Sequence, residues 1–245
     1  QIALSKTDTV LVLAENTQHA EQLRDELVFF NKDDCSIELF PEWETLPYDS
    51  FSPHQDIISN RMTILSSQLR IKKRIIILTV SSLLNRLPPC KYINSHSLSL
   101  EVGSNLEHQD LINKLTYNGY RKVAQVEDHG EYASRGSLLD VFPMGTIKPI
   151  RVEIYDCEIE SLRYFNVDSQ LSEKKINSVT VLPAKEIPLD DESIRYFRQR
   201  YRERFEGAPT KSHVYNDITN AIAHAGIEYY LPLFYEKTAN FFDYF

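Results

Sequence analysis

Within the run Arg151-Val-Glu-Ile-Tyr155, side chains of an extended strand alternate. They set Arg151, Glu153 and Tyr155 on one face and Val152 and Ile154 on the other. Arg and Tyr are enriched at protein-binding hot spots, where a planar guanidinium or a phenol ring buries much surface and still hydrogen-bonds. Arg135, just before the preceding strand-like segment, can join them. An ordinary amphipathic sheet would show the same alternation, so the residues alone leave both readings open.

A second chemical candidate is the helix carrying Arg195, Arg198, Arg200, Arg202 and Arg204. Guanidinium groups suit phosphate geometry, yet the same helix bears an apolar stripe and the acids Glu192, Glu203 and Glu206, which favour a solvated face. The formal net charge of −8 has the wrong sign for a chain whose main task is gripping a polyanion.

Phosphate cradles built from backbone N–H groups need closely spaced glycines. The seven here (Gly103, Gly119, Gly130, Gly136, Gly145, Gly207 and Gly226) fit neither G-x-x-x-x-G-K-[ST] nor G-x-G-x-x-G. There is no G-x-S-x-G elbow and no H-E-x-x-H pair. Cys35, Cys90 and Cys157 are far apart and have no metal-like spacing with any of the seven scattered histidines. They read as reduced cytosolic thiols, and a cytoplasmic location is expected. The pairs Asp33-Asp34 and Asp190-Asp191 read as loop charges or helix caps. No catalytic residue, cofactor or metal is therefore expected.

The elements that would position these residues follow from periodicity. Val10 to Ala14, Ser36 to Phe40 and Arg74 to Val80 read as strands, the last buried on both faces. Between them lie two helices. One has Ala20, Leu23, Leu27 and Phe30 on a face; the other starts at a Ser52-Pro53-His54-Gln55 capping box and carries Ile58, Met62, Leu65 and Leu69. Alternating strands and helices imply a parallel α/β sheet. From Ser97 the character changes. A strand from Ser97 to Val102 leads to a helix with Leu111, Ile112 and Leu115 that stops at Asn118-Gly119. Closely spaced strands are then expected around Arg135 to Phe142, Ile150 to Asp156 and Ile159 to Val167, forming an antiparallel α+β unit. Helical stripes follow at Ile194, Phe197, Tyr201 and Phe205, and at Val214, Ile218 and Ile222.

With 245 residues, 42% of them hydrophobic, the chain can bury a sizeable core. No apolar run reaches the roughly 18 residues of a membrane span. Gln1 to Val10 lacks the pattern of a signal peptide, and the natural N-terminus is expected to lie upstream because no initiator Met is present.

Several long stretches closely resemble the N-terminal region of the bacterial transcription-repair coupling factor family (Mfd). They are Trp43-Glu-Thr-Leu-Pro-Tyr-Asp-Ser-Phe-Ser-Pro-His-Gln-Asp-Ile-Ile-Ser59 and His129-Gly-Glu-Tyr-Ala-Ser-Arg-Gly-Ser-Leu-Leu-Asp-Val-Phe-Pro-Met-Gly145. Asp156 to Arg163, Phe165 to Gln170 and Ala225 to Tyr230 add to the match. That family shares this module with UvrB. The resemblance implies a degenerate RecA/UvrB-like parallel-sheet domain (1a, 1–96; 1b, 184–245) with an inserted α+β domain 2 (97–183). It implies that domain 2 recruits UvrA through Arg135, Arg151 and Tyr155; where relatives are expected to carry Phe, Tyr155 keeps the ring and adds a hydroxyl. UvrB's phosphate loop would fall before Gln1, and Pro47 to Ser52 leaves no room for its DNA-threading hairpin. RNA polymerase, DNA and the ATP-dependent translocase motor would belong to later domains of the full protein. A UvrB-like ATP- or DNA-binding fragment is the alternative.

Overall fold

A computed structural model describes residues 9–31, 35–47, 49, 51–67 and 73–244. The first sheet has three parallel strands: β1 (Thr9–Ala14), β2 (Ser36–Leu39) and β3 (Arg74–Thr79), in the order β1-β3-β2. Parallel neighbours need crossovers, supplied here by α1 (Thr17–Phe30) and α2 (Gln55–Ser66). The central β3 is buried at all six positions, as its apolar run requires. Ile75 and Ile77 pack with Ala20 of α1, while Ile76 and Leu78 face the main core.

Two expectations about these helices need correction. Phe30 does not join the buried stripe of α1; it stands exposed, edge-on to Phe29 at 5.0 Å. Ser52 does not cap α2, which starts at Gln55 with His54 Nδ1 accepting from the Asp56 N–H. The Ser52 hydroxyl is taken instead by the C-terminal segment. It accepts from Gly226 N–H (3.1 Å) and donates to Glu228 Oε2 (3.1 Å). Gly226 has φ of 77°, and a Cβ there would sit 2.3 Å from the Asp49 carbonyl oxygen, so only glycine fits. Leu69 and the Asp33-Asp34 pair lie outside the described residues.

After β3 come α3 (Val80–Leu84), α4 (Cys90–His96), β4 (Leu98–Glu101) and α5 (His108–Tyr117). Helix α5 ends as expected, with Asn118 as cap and Gly119 at φ 85°. Then follow β5 (Arg121–Lys122), β6 (Glu131–Arg135), β7 (Leu138–Val141), β8 (Ile150–Tyr155), β9 (Glu158–Phe165), β10 (Ser172–Ile176) and β11 (Ser178–Val181). Strands β10-β9-β8-β7-β6-β5 form one sheet, antiparallel except for β5 with β6, and β11 pairs antiparallel with β4. The strand expected around Arg135 to Phe142 is present as β7, starting at Leu138; strand β6, which was not expected, precedes it and pairs with it across a turn at Gly136 (φ 63°). The turn at Asp156-Cys157 has both residues at positive φ (46° and 65°), the pattern of a tight two-residue hairpin.

The remainder holds α6 (Asp191–Arg204), capped by Asp190 accepting from Ser193 N–H, and α7 (His213–Thr219). Ile222 was expected on the α7 stripe. The helix stops at Thr219, Ala221 turns left-handed at φ 58°, and Ile222 is left exposed. Short 3-10 turns at Ile227–Leu233 and Phe241–Tyr244 complete the chain.

One apolar core runs from the parallel sheet through α2 and the inner face of the six-stranded sheet to α6 and the C-terminal turns. Its polar fastening is Arg61 with Glu186, both side chains fully buried. Arg61 Nε–H donates to Glu186 Oε1 (2.5 Å), its Nη2 to Oε2 (3.3 Å) and its Nη1 to the Pro41 carbonyl (3.0 Å). The guanidinium also lies over the rings of Phe40 and Trp43, at 4.4 and 5.0 Å from their centroids. One side chain thus joins α2, the segment before it and the segment that follows β11. Among the described residues no helix is long and apolar enough to cross a membrane.

Candidate partner-binding face

Strand β8 alternates as its sequence requires: Ile150, Val152 and Ile154 are buried, Arg151 and Glu153 half-buried, and Tyr155 exposed. Register extends that outer face sideways. Arg135 pairs with Leu138, Leu138 with Glu153, and Glu153 with Ser161. Directly opposed residues of antiparallel strands share a face, so Arg135, Arg151, Glu153 and Tyr155 lie on one side of the sheet.

Their surroundings differ sharply. Tyr155 is 72% exposed beside the Asp156-Cys157 turn. Arg135 is also exposed and donates once, from Nη2 to the Ala124 carbonyl (2.7 Å). The other four of its five N–H groups have no acceptor among the described residues.

Arg151 is held from several sides. Its Nε–H donates to Asp140 Oδ1 (2.7 Å) and Nη2 to Asp140 Oδ2 (2.9 Å); Nη2 also reaches the Gln170 carbonyl (3.3 Å) and Nη1 the Ser172 hydroxyl (3.0 Å). The guanidinium lies 5.1 Å from the centroid of buried Phe165. The hydrogen bonds that Arg151 donates to Asp140 raise its pKa further, against the smaller opposing effect of burial. Four of its five N–H groups are used, so in this conformation Arg151 offers a partner one donor and a fixed positive charge.

Asp140, Phe165, Gln170 and Ser172, which do this positioning, were not singled out from sequence. Only Asp140 carried a signal: it is a carboxylate on a strand between the buried Leu139 and Val141. Gln170 could not be found by pattern, since it acts through a backbone carbonyl at positive φ.

One end of the face is roofed by the segment before β6. Val126 packs on Ala133, Phe142 and Phe165. Glu131 holds this segment, accepting from the N–H groups of Glu127 (2.9 Å) and Asp128 (3.0 Å) and from Arg121 (2.5 Å). Burial alone would raise the Glu131 carboxyl, but these donors together outweigh it and hold the pKa below the usual value.

The Arg-rich helix is not brought to this face. Arg200 donates to the carbonyls of Pro232 and Glu236, Arg195 sits 3.8 Å from Glu192, and Arg202 lies over Tyr215. An open cleft of about 700 Å³ lies nearby, lined by Arg200, Arg204, Tyr229 and Tyr230 among others. His129 joins the sheet to α2, with Nδ1 2.7 Å from Asp56 Oδ1 and Nε2 2.8 Å from the Thr146 carbonyl. Between β1 and α1 the connection is only Glu15 and Asn16, and the Asn16 side chain itself accepts from the helix N-terminus at His19 N–H.

Residues 98–187 match the family model of the UvrB interaction domain. Along its whole length the chain is similar to proteins named transcription-repair-coupling factor. It is 41% identical to that of Escherichia coli and 42% to that of Haemophilus influenzae, with 100% of the chain covered in both. Identity is 33% over 98% of the chain for Rickettsia bellii. The chain spans about a fifth of the length of these relatives, 21% of each.

Proposed function

From the premise that this chain is homologous to the UvrB-like region of the bacterial transcription-repair coupling factors, we propose that it is a non-catalytic adaptor that recruits UvrA for nucleotide excision repair. The observation that carries this reading is the outer face of β6 to β9. There an exposed Tyr155, an Arg135 rich in unused donors and a rigidly held Arg151 stand together inside the segment that matches the UvrB interaction domain. Aromatic and Arg anchors of this kind carry most of the energy of protein contacts. A face fixed by β pairing and a bidentate ion pair is ordered before it binds, which reduces the entropy lost on association.

The division into domains 1a (1–96), 2 (97–183) and 1b (184–245) is part of the proposal. It is supported by the change from a parallel to an antiparallel sheet and by the bounds of the matched segment. In the full-length protein, contacts with RNA polymerase and DNA and the ATP-driven motor fall to later domains, in a cytoplasmic setting. The glycine spacing weighs against ATP binding by the residues of this chain.

Titration of UvrA with the chain and with Arg135→Ala, Tyr155→Ala and Arg151→Ala variants tests the reading. Loss of affinity in the first two, with urea unfolding unchanged, is expected. Unchanged affinity in all three would remove the site assignment, and tight binding of a fluorescent ATP analogue would favour the ATPase alternative.

A further inference from the structure

The register of the six-stranded sheet sets Asp140, Arg151, Arg163 and Lys175 opposite one another on β7, β8, β9 and β10. Residues paired in this way face the same side with Cβ atoms roughly 4.5–5.5 Å apart. Ile176, next along β10, pairs with Leu162 and packs on the main core, which leaves Lys175 on the outer side. Three cations therefore lie in one row across three adjacent strands. Like charges directly opposed destabilise a sheet, and a chain of net charge −8 has no surplus of cations to scatter.

Compensation falls away along the row. Arg151 has both oxygens of Asp140. Arg163 has only a 3.4 Å contact with Glu153, and its Nε–H finds no acceptor among the described residues. Lys175 is exposed and pairs with no carboxylate among the described residues, since the nearby Glu173 is taken by Lys148 at 2.5 Å.

We propose that Arg163 and Lys175 extend the binding face across β9 and β10 to the sheet edge, and that the row receives an acidic surface of the partner protein. This rests on the reading that the Arg135–Arg151–Tyr155 face binds UvrA. A protein fits better than a nucleic-acid backbone because Glu153 lies in the neighbouring row, between Leu138 and Ser161. A phosphodiester chain laid on this face would meet that carboxylate, whereas a folded partner can set a donor against Glu153 and acids against the flanking cations. The exposed Tyr155 ring and the half-buried Leu138 supply the apolar contact such a partner needs.

The test is stopped-flow association of UvrA with the chain at two salt concentrations, comparing wild type, Arg135→Ala, and Arg163→Gln with Lys175→Gln singly and combined. Peripheral charges act mainly on encounter, so the double variant is expected to associate about 3- to 10-fold more slowly at low salt. Its salt dependence should flatten and its dissociation rate stay within about twofold. Its urea midpoint should be unchanged or raised, because opposed like charges are removed. Wild-type rates and salt dependence in the double variant, with binding still lost in Arg135→Ala, would overturn the extension and leave the functional reading standing. Failure of the wild-type chain to bind UvrA would overturn both. Binding of a DNA duplex that the double variant abolishes would overturn the choice of a protein partner.

Discussion

The two main sheets of this molecule differ in what their faces are free to do. The parallel sheet is sandwiched: Ile75 and Ile77 meet α1, while Ile76 and Leu78 meet the main core. Parallel pairing requires covering crossovers, and a strand covered on both sides has no face left for recognition. The six-stranded sheet packs Val152, Leu139 and Leu162 inward and turns Arg135, Glu153, Arg163 and Tyr155 outward. Its hairpins need no helices to close them. Recognition can be written on the uncovered face without disturbing the core. The same contrast separates two arginines. Arg61 is fully buried with Glu186 and holds segments together, whereas Arg151 is held by Asp140 yet keeps one edge toward solvent.

That contrast can be broken most forcefully at Arg61. Removing one member of a buried ion pair leaves the other charged and desolvated, so Arg61→Ala or Glu186→Ala should lower stability by about 3–5 kcal/mol in urea unfolding. A loss under about 1 kcal/mol would show that the fastening role is misassigned. Next comes the open face. Tyr155→Ala and Arg135→Ala should each weaken UvrA binding by about 2 kcal/mol, roughly 30-fold, with stability within about 0.5 kcal/mol of wild type. If either variant unfolds early instead, its residue belongs to the structural side of the comparison.

Asp140→Asn probes the boundary between the two roles. It should reduce stability by about 1–3 kcal/mol and also weaken UvrA binding, because Arg151 loses its orientation. Orientation is the readout that separates the roles: the Arg151 Nε–H resonance should lose its protection from exchange in the variant. Retained protection and unchanged binding would leave Asp140 a purely structural residue.

The smallest effect concerns Glu131. Its carboxyl is held below its unfolded value, so the stability it contributes is present above the unfolded pKa of about 4.3 and disappears as pH falls through the lower, folded value. Unfolding curves from pH 6 to 3 should show Glu131→Gln less sensitive to acid than wild type, by about 1 kcal/mol or less. Equal acid sensitivity would mean that the segment roofing the face is fastened elsewhere.

Legibility followed the range of the interactions. The strand face of Arg151, Glu153 and Tyr155 was readable because alternation is set by the backbone over two residues. Burial of Ile75 to Leu78 was readable for the same reason. The capping of α2 was misread, because Ser52 suits a cap locally but bonds Gly226 and Glu228, some 175 residues away. Strand β6 was missed, since Glu131-Tyr-Ala-Ser-Arg135 carries a weak apolar pattern and is defined by its pairing with β7 across the turn at Gly136. Strand β10, Ser-Glu-Lys-Lys-Ile, is polar because it is an edge strand, and its sequence carries little strand signal.

By itself the sequence determined the mixture of parallel and antiparallel sheet, the lack of a glycine phosphate cradle and the alternation that exposes Tyr155. Each depends on residue type and near neighbours. Only the tertiary structure decided that Arg61 meets Glu186, that Asp140 and Gln170 restrain Arg151, and that Arg163 and Lys175 fall into line beside it. Those meetings depend on strand order and register, which are set when whole faces pack together and which no short stretch of chain encodes.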